Sequence, residues 1–162
     1  MIDTRFSTLA FHAILLLIGG CEMAARPYQI DSPLSRSLNS IRIEGLPEAG
    51  VAMSDLTDFK WDHLHYFNNH TSKQDINKTL GVDFFDVMAP HGYDGGFYIS
   101  PGPLLVFMNE ERVIHAISIE PPVSLIGDPR TIFTPKNAML TTFSSSSNGP
   151  FEIKLTESVF EE

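Results

Sequence analysis

Three histidines lie close together in the chain and carry side chains that can bind a metal ion. His63 and His65 are two residues apart within the segment 59–67, whose alternating residues predict a β-strand, so both imidazoles share one face. His70 follows just past the predicted end of this strand. Two imidazoles at this spacing, with a third ligand from a loop, can bind zinc or copper. The alternative is that they are core or rim residues hydrogen-bonded to the backbone, since no stronger signature such as His-Glu-x-x-His is present.

Asp62, directly before His63, has two possible roles. It could act as a general base beside the imidazole, or it could accept hydrogen bonds near the strand. The neighbouring Trp61 favours the second role, because a tryptophan here predicts a core anchor. The chain has no Gly-x-Ser-x-Gly motif, and its glycine-rich segment 91–96 fits no phosphate-binding pattern. We therefore predict that the protein is not an enzyme and uses no cofactor.

The charge balance excludes one class of partner. The chain has 162 residues, with 11 Lys and Arg against 20 Asp and Glu, which gives a formal net charge of −9. Nucleic-acid binding requires clustered Lys and Arg to contact phosphates, and this composition does not supply them. A hydrophobic content of 43% predicts a packed domain rather than a disordered chain. We expect a folded domain that does not bind nucleic acid.

The N-terminal segment has the pattern of an export signal. A mostly apolar run over 6–18 is too short for a comfortable transmembrane helix, but it has the length of a signal-peptide core. The run ends at Ile18-Gly19-Gly20-Cys21, in which an aliphatic and two small residues precede the only cysteine of the chain. These four residues resemble the lipobox of bacterial lipoproteins.

The resemblance implies a lipid anchor at Cys21. In that family the cysteine thiol receives a diacylglycerol, the new amine is often acylated as well, and the preceding segment, here 1–20, is removed as a signal peptide. Each buried CH₂ of such a chain adds about 0.8 kcal/mol of membrane affinity. Glu22 follows the cysteine where an aspartate favours retention in the inner membrane, so the resemblance implies the outer membrane, facing the periplasm. No thiol would remain for disulfides or metal binding.

The remaining chain predicts an α+β domain. We expect two layers, in which an antiparallel sheet packs against one or two helices. Residues 21–50 are predicted as the lipidated N-terminus and a tether leading into the domain, and 51–162 as the single domain. The predicted elements are a short helix from Pro33 with Leu34, Leu38 and Ile41 at helical spacing, the strand 59–67, a helix capped by Thr71 or Ser72 and stopped by Gly81, a hairpin of 104–108 and 113–119, and a late strand 151–155.

A second resemblance covers the strand and helix at the start of this domain. The motif Phe59-Lys60-Trp61-Asp62, followed by Phe67, Thr71 and a helix ending at Leu80-Gly81, resembles a pattern in uncharacterised small bacterial lipoproteins. In that pattern a tyrosine stands before the threonine, and His70 replaces it here. The resemblance supports the predicted fold and implies no activity.

Two functions are consistent with these features. The first is a membrane-anchored, non-catalytic interaction or structural module of the cell envelope with a protein partner, for which aromatic residues Tyr93, Phe97 and Tyr98 are a candidate contact patch. The alternative is a periplasmic protein that binds a metal or small ligand through His63, His65 and His70. An enzyme using Asp62 and His63 would require both side chains in a deep pocket.

Overall fold

The computed structural model describes residues 33–84, 93–94, 97–98, 102–144 and 149–158. Two helices and ten strands are present in these ranges, with a 3₁₀ turn at Met53–Leu56. The helices are α1 (Pro33–Glu44) and α2 (Lys73–Leu80). The strands are β1 (Val51–Ala52), β2 (His63–Phe67), β3 (Tyr93–Asp94), β4 (Phe97–Tyr98), β5 (Leu104–Asn109), β6 (Arg112–Ser118), β7 (Leu125–Ile126), β8 (Ile132–Phe133), β9 (Ala138–Ser144) and β10 (Phe151–Glu157).

The strands form two four-stranded sheets, so the predicted α+β class is confirmed. The first sheet has the order β1-β9-β10-β7, and the second has the order β6-β5-β2-β8. Pairing in both sheets is antiparallel, except that β7 runs parallel to β10. The sequence predicts one sheet, and the structure divides its strands between two. Strands β3 and β4 form a separate small hairpin.

The second sheet is covered on both faces by apolar side chains. One face contributes Leu64 and Phe107 to a large core cluster that also contains Leu140 of the first sheet. The other face contributes Val106 to a second cluster, which contains Ile76 of α2. Strand β2 lies between β5 and β8 in this sheet. The apolar residues on both faces of the segment 59–67 predict such a central strand, and the structure confirms it.

Helix α1, which falls within the predicted tether and entry segment 21–50, packs into the core. Its first residue is Pro33. The proline ring fixes a backbone φ that suits the first turn of a helix, and the N–H that proline lacks would have no partner within the helix at this position. Leu34, Leu38 and Ile41 are buried in the large core cluster, and the helix lies against β10. The described folded unit thus begins at Pro33, inside the range 21–50.

Strand β2 is shorter than the predicted strand 59–67, because it starts only at His63. Trp61 and Phe59 lie in or against the large core cluster, whereas Phe67 lies in the second cluster. A continuous strand over 59–67 would put these three aromatic rings on one face, and the structure instead divides them between the two clusters. The chain before His63 is irregular, and it turns Trp61 into the core, where Trp61 Nε1 donates to Thr57 Oγ1 at 3.0 Å.

Helix α2 and the β5–β6 hairpin follow local signals. Ser72 caps α2, and its Oγ accepts a hydrogen bond from Asp75 N at 3.0 Å. Gly81 ends the helix with φ of 71°, a left-handed conformation that glycine adopts without strain. The hairpin turn has positive φ at both Glu110 and Glu111, the pattern that matches the twist of paired strands. This turn lies beside the start of β2.

Candidate functional site

His63 and Asp62 form an exposed pair at the start of β2. His63 Nδ1 lies 2.9 Å from Asp62 Oδ1, and the two side chains are 50% and 40% exposed. The second carboxylate oxygen, Asp62 Oδ2, accepts a hydrogen bond from Glu110 N at 2.8 Å. Asp62 is thus fixed from two directions, as the hydrogen-bonding interpretation predicts. In a neutral imidazole held this way, Nδ1 carries the proton and Nε2 keeps its lone pair.

His65 lies two residues along the same strand and is mostly covered. Its exposed fraction is 6%, and its ring stacks on Phe67 with centroids 6.2 Å apart and an interplanar angle of 14°. Burial lowers the pKa of His65 below its ordinary value of 6.5, and the charge of nearby His63 lowers that pKa further. The folded protein therefore favours the neutral form of His65.

We expect the lowered pKa of His65 to make the fold less stable in mild acid. The unfolded chain takes up the proton near pH 6.5, but the folded protein resists it, so unfolding gains protons as the pH falls below that value. Thermal unfolding measured at about pH 7.5 and about pH 5 should show a lower midpoint in acid. The difference should shrink in His65→Phe, which keeps a flat ring beside Phe67. His70→Asn, a change of an exposed histidine, is the control, and an unchanged difference in His65→Phe would contradict this cause.

His70 does not join the other two histidines. It is exposed and lies in the turn after β2 with φ of 65°, beyond the strand end opposite to His63. In the part of the chain that the structure describes, no three His, Cys, Asp or Glu side chains are grouped closely enough to hold a metal ion. The structure thus brings His63 and His65 to one strand face and separates His70 from them.

A groove that sequence reasoning missed runs between α1 and the segment 119–123. Its volume is about 330 Å³, which is within the range of small ligand pockets. Its lining combines apolar and polar side chains from these two parts of the chain. They are Ser35, Leu38, Asn39, Arg42, Ile119, Glu120, Pro121, Pro122 and Val123.

Two local contacts position the walls of this groove. Arg42 Nε donates to Asn39 Oδ1 at 3.2 Å, one helical turn earlier on α1, which fixes the guanidinium at the groove. On the opposite wall, Gly102 passes so close to Ile119 that an added Cβ would lie 1.7 Å from the Ile119 carbonyl oxygen. The sequence carries no signal for the groove, because its two walls are far apart along the chain.

Other predicted site residues lie outside the described part of the molecule. Cys21 precedes the described residues. The backbones of Tyr93 and Tyr98 pair across the β3–β4 hairpin. The side chains of Tyr93, Phe97 and Tyr98 are outside the description, so the contact patch they would form stays a prediction.

Comparison with known proteins adds no relative. No protein-family model, curated protein or solved structure matches the chain. Within the described residues, no helix has the length and apolar character required to span a membrane. The described residues form an α+β domain with a groove beside α1 and a histidine pair at the start of β2.

Proposed function

We propose that the protein is a lipid-anchored module of the bacterial cell envelope that works by binding a partner protein. The observation that carries this proposal is the sequence Ile18-Gly19-Gly20-Cys21, placed shortly before a domain whose first described element is α1. Acylation of Cys21 would attach the domain to a membrane, and Glu22 favours the outer membrane, facing the periplasm. The net charge of −9 gives no attraction to anionic lipid headgroups, so the acyl chains would supply the attachment.

The short segment between the cysteine and the domain supports this arrangement. Residues 22–32 span at most about 40 Å when fully extended. Because α1 begins directly after this segment, the domain would stay close to the lipid surface. The groove is on that same helix, so a partner bound in it would be held within reach of the membrane surface.

The groove is the contact site that we propose for this partner. Pro121, Pro122 and Val123 offer accessible apolar surface, and Arg42 adds a positive charge on the α1 wall, where it is hydrogen-bonded to Asn39. An arginine with a fixed guanidinium binds carboxylates well, since it donates several hydrogen bonds in one plane. We therefore propose that the partner inserts a segment with an apolar side chain next to a carboxylate.

A non-catalytic role is also supported by the surroundings of the Asp62–His63 pair. Both side chains are substantially exposed, and neither lines the groove. Acid–base catalysis requires the catalytic group to lie against the substrate in a site that restricts water. The hydrogen bond that Asp62 accepts from Glu110 N gives the carboxylate a structural role at the hairpin turn.

Crosslinked recovery of full-length tagged protein from detergent-solubilised envelopes tests this function. We expect one stoichiometric partner, identified by mass spectrometry, and its loss in Arg42→Glu, which reverses the charge in the groove. Arg36→Glu is the matched control, because it makes the same reversal at an exposed position of α1 outside the groove. Recovery of no partner, or equal recovery with Arg42→Glu, would contradict the proposal.

A further inference from the structure

The face of β2 that carries His63 and His65 has a feature that the proposed function does not use. Both imidazoles point to the same side of the strand, since side chains two residues apart alternate back to one face. His63 is held by Asp62 through Nδ1, which leaves Nε2 as the ring nitrogen with a free lone pair. A histidine fixed through one nitrogen by a carboxylate is the arrangement that proteins commonly use for metal ligands.

His65 is 6% exposed and pairs with the fully buried Val106 on β5. Its partner across the sheet on β8 is Ile132, which is 51% exposed. Its neighbour along the strand face is His63, whose side chain is 50% exposed. The ring of His65 lies nearly parallel to that of Phe67, its next neighbour along this face. The two imidazoles are therefore neighbours on one strand face, and solvent reaches this face beside His63 and Ile132.

We propose that His63 and His65 form a two-histidine site for a divalent first-row transition-metal ion, with Asp62 as the residue that orients His63. Water would fill the remaining coordination positions. Imidazole suits zinc, nickel and copper, and copper(II) binds most tightly in this series, so copper(II) is the sharpest probe. The site takes two of the three histidines that the sequence pattern suggests and leaves out His70, which lies past the other end of β2.

Metal titration of the full-length protein in detergent tests the proposal. Trp61 is the only tryptophan of the chain and lies two residues before His63, so bound copper(II) should quench its fluorescence. We expect saturation at one equivalent, and calorimetry with zinc should give the same stoichiometry. His63→Ala should weaken binding at least about tenfold. Asp62→Asn removes the charge and leaves one acceptor oxygen for the two hydrogen bonds that Asp62 accepts, and it should weaken binding about tenfold.

His70→Ala is the matched control and should change the metal affinity by less than about twofold. Loss of a residue that binds or orients the metal would change this affinity at least about tenfold. Since His65 is buried, His65→Ala could lower the stability of the fold. If His65→Ala does not fold, the metal affinity of His63→Ala decides the test, because His63 is exposed. Circular dichroism verifies that His63→Ala is folded. No saturable binding, or equal affinity in wild type and His63→Ala, would overturn the proposal. A loss with His70→Ala equal to that of His63→Ala would also overturn it. None of these outcomes depends on the partner protein, so the two proposals can fail separately.

Discussion

Replacing Cys21 by serine is expected to move the protein from the membrane fraction to the soluble fraction. The proposed attachment is a thioether to diacylglycerol, and a serine hydroxyl does not form it. Each buried CH₂ contributes about 0.8 kcal/mol, so losing two or three acyl chains would remove nearly all membrane affinity. Fractionation after a high-salt wash, with the intact mass of the mature protein, measures both location and acylation.

Met23→Ser is the control for this experiment, since it introduces the same residue two positions beyond the proposed anchor. It should keep the protein in the membrane fraction, with the added mass of the acyl chains. If Cys21→Ser protein stays in the membrane fraction, or if the wild type carries no lipid mass, the anchored part of the proposed function fails.

Replacing Leu38 by alanine is expected to produce the second large effect, a loss of about 3 kcal/mol of unfolding free energy. Leu38 is fully buried in the large core cluster, on the side of α1 that packs into the domain. Its truncation removes apolar contacts and leaves a cavity that the surrounding core fills only partly. Urea unfolding followed by the fluorescence of Trp61, which lies in the same cluster, measures the change.

Ile43→Ala is the matched control, because Ile43 is on the same helix but 61% exposed. It should change the unfolding free energy by less than about 0.5 kcal/mol. Equal effects of Leu38→Ala and Ile43→Ala would mean that α1 does not pack as a part of the core. Since α1 also forms one wall of the groove, Leu38→Ala should weaken partner recovery as well as stability.

Local elements could be predicted from short sequence patterns. Helix α2 has a capping serine at its start and a glycine at its end, and both signals act within a few residues. The β5–β6 hairpin follows from two apolar runs on either side of the polar turn at Glu110 and Glu111. Such patterns predict structure correctly because the capping and turn interactions that stabilise these elements form between residues close together in the chain.

The start of β2 is an element that the local sequence pattern predicts wrongly. Alternation over 59–67 predicts one continuous strand, yet pairing with β5 begins only at His63. Trp61 turns away from the ladder and packs edge to face on Phe107, with ring centroids 5.4 Å apart. The burial of a large aromatic side chain against a distant strand outweighed the local pattern.

Some features of the candidate sites could likewise be predicted from local spacing, whereas others depend on tertiary structure. The placement of His63 and His65 on one face follows from their spacing, which fixes the relation of side chains within any strand. The separation of His70 from them depends on the turn after Phe67, where His70 takes a positive φ. The groove required α1 and the segment 119–123 to meet, and nothing in either segment indicates the other.

The sequence by itself therefore determined the α+β class, the capped helix α2, the hairpin and the shared face of the two histidines. It also contains the segment resembling a lipobox at Cys21 and the acidic charge on which the proposed location depends. Only the tertiary structure decided that α1 is a part of the core, that the strands divide into two sheets, and that a groove forms beside Arg42. The reason is the range of the interactions: caps, turns and strand alternation act between near neighbours, whereas packing joins residues that the chain holds far apart.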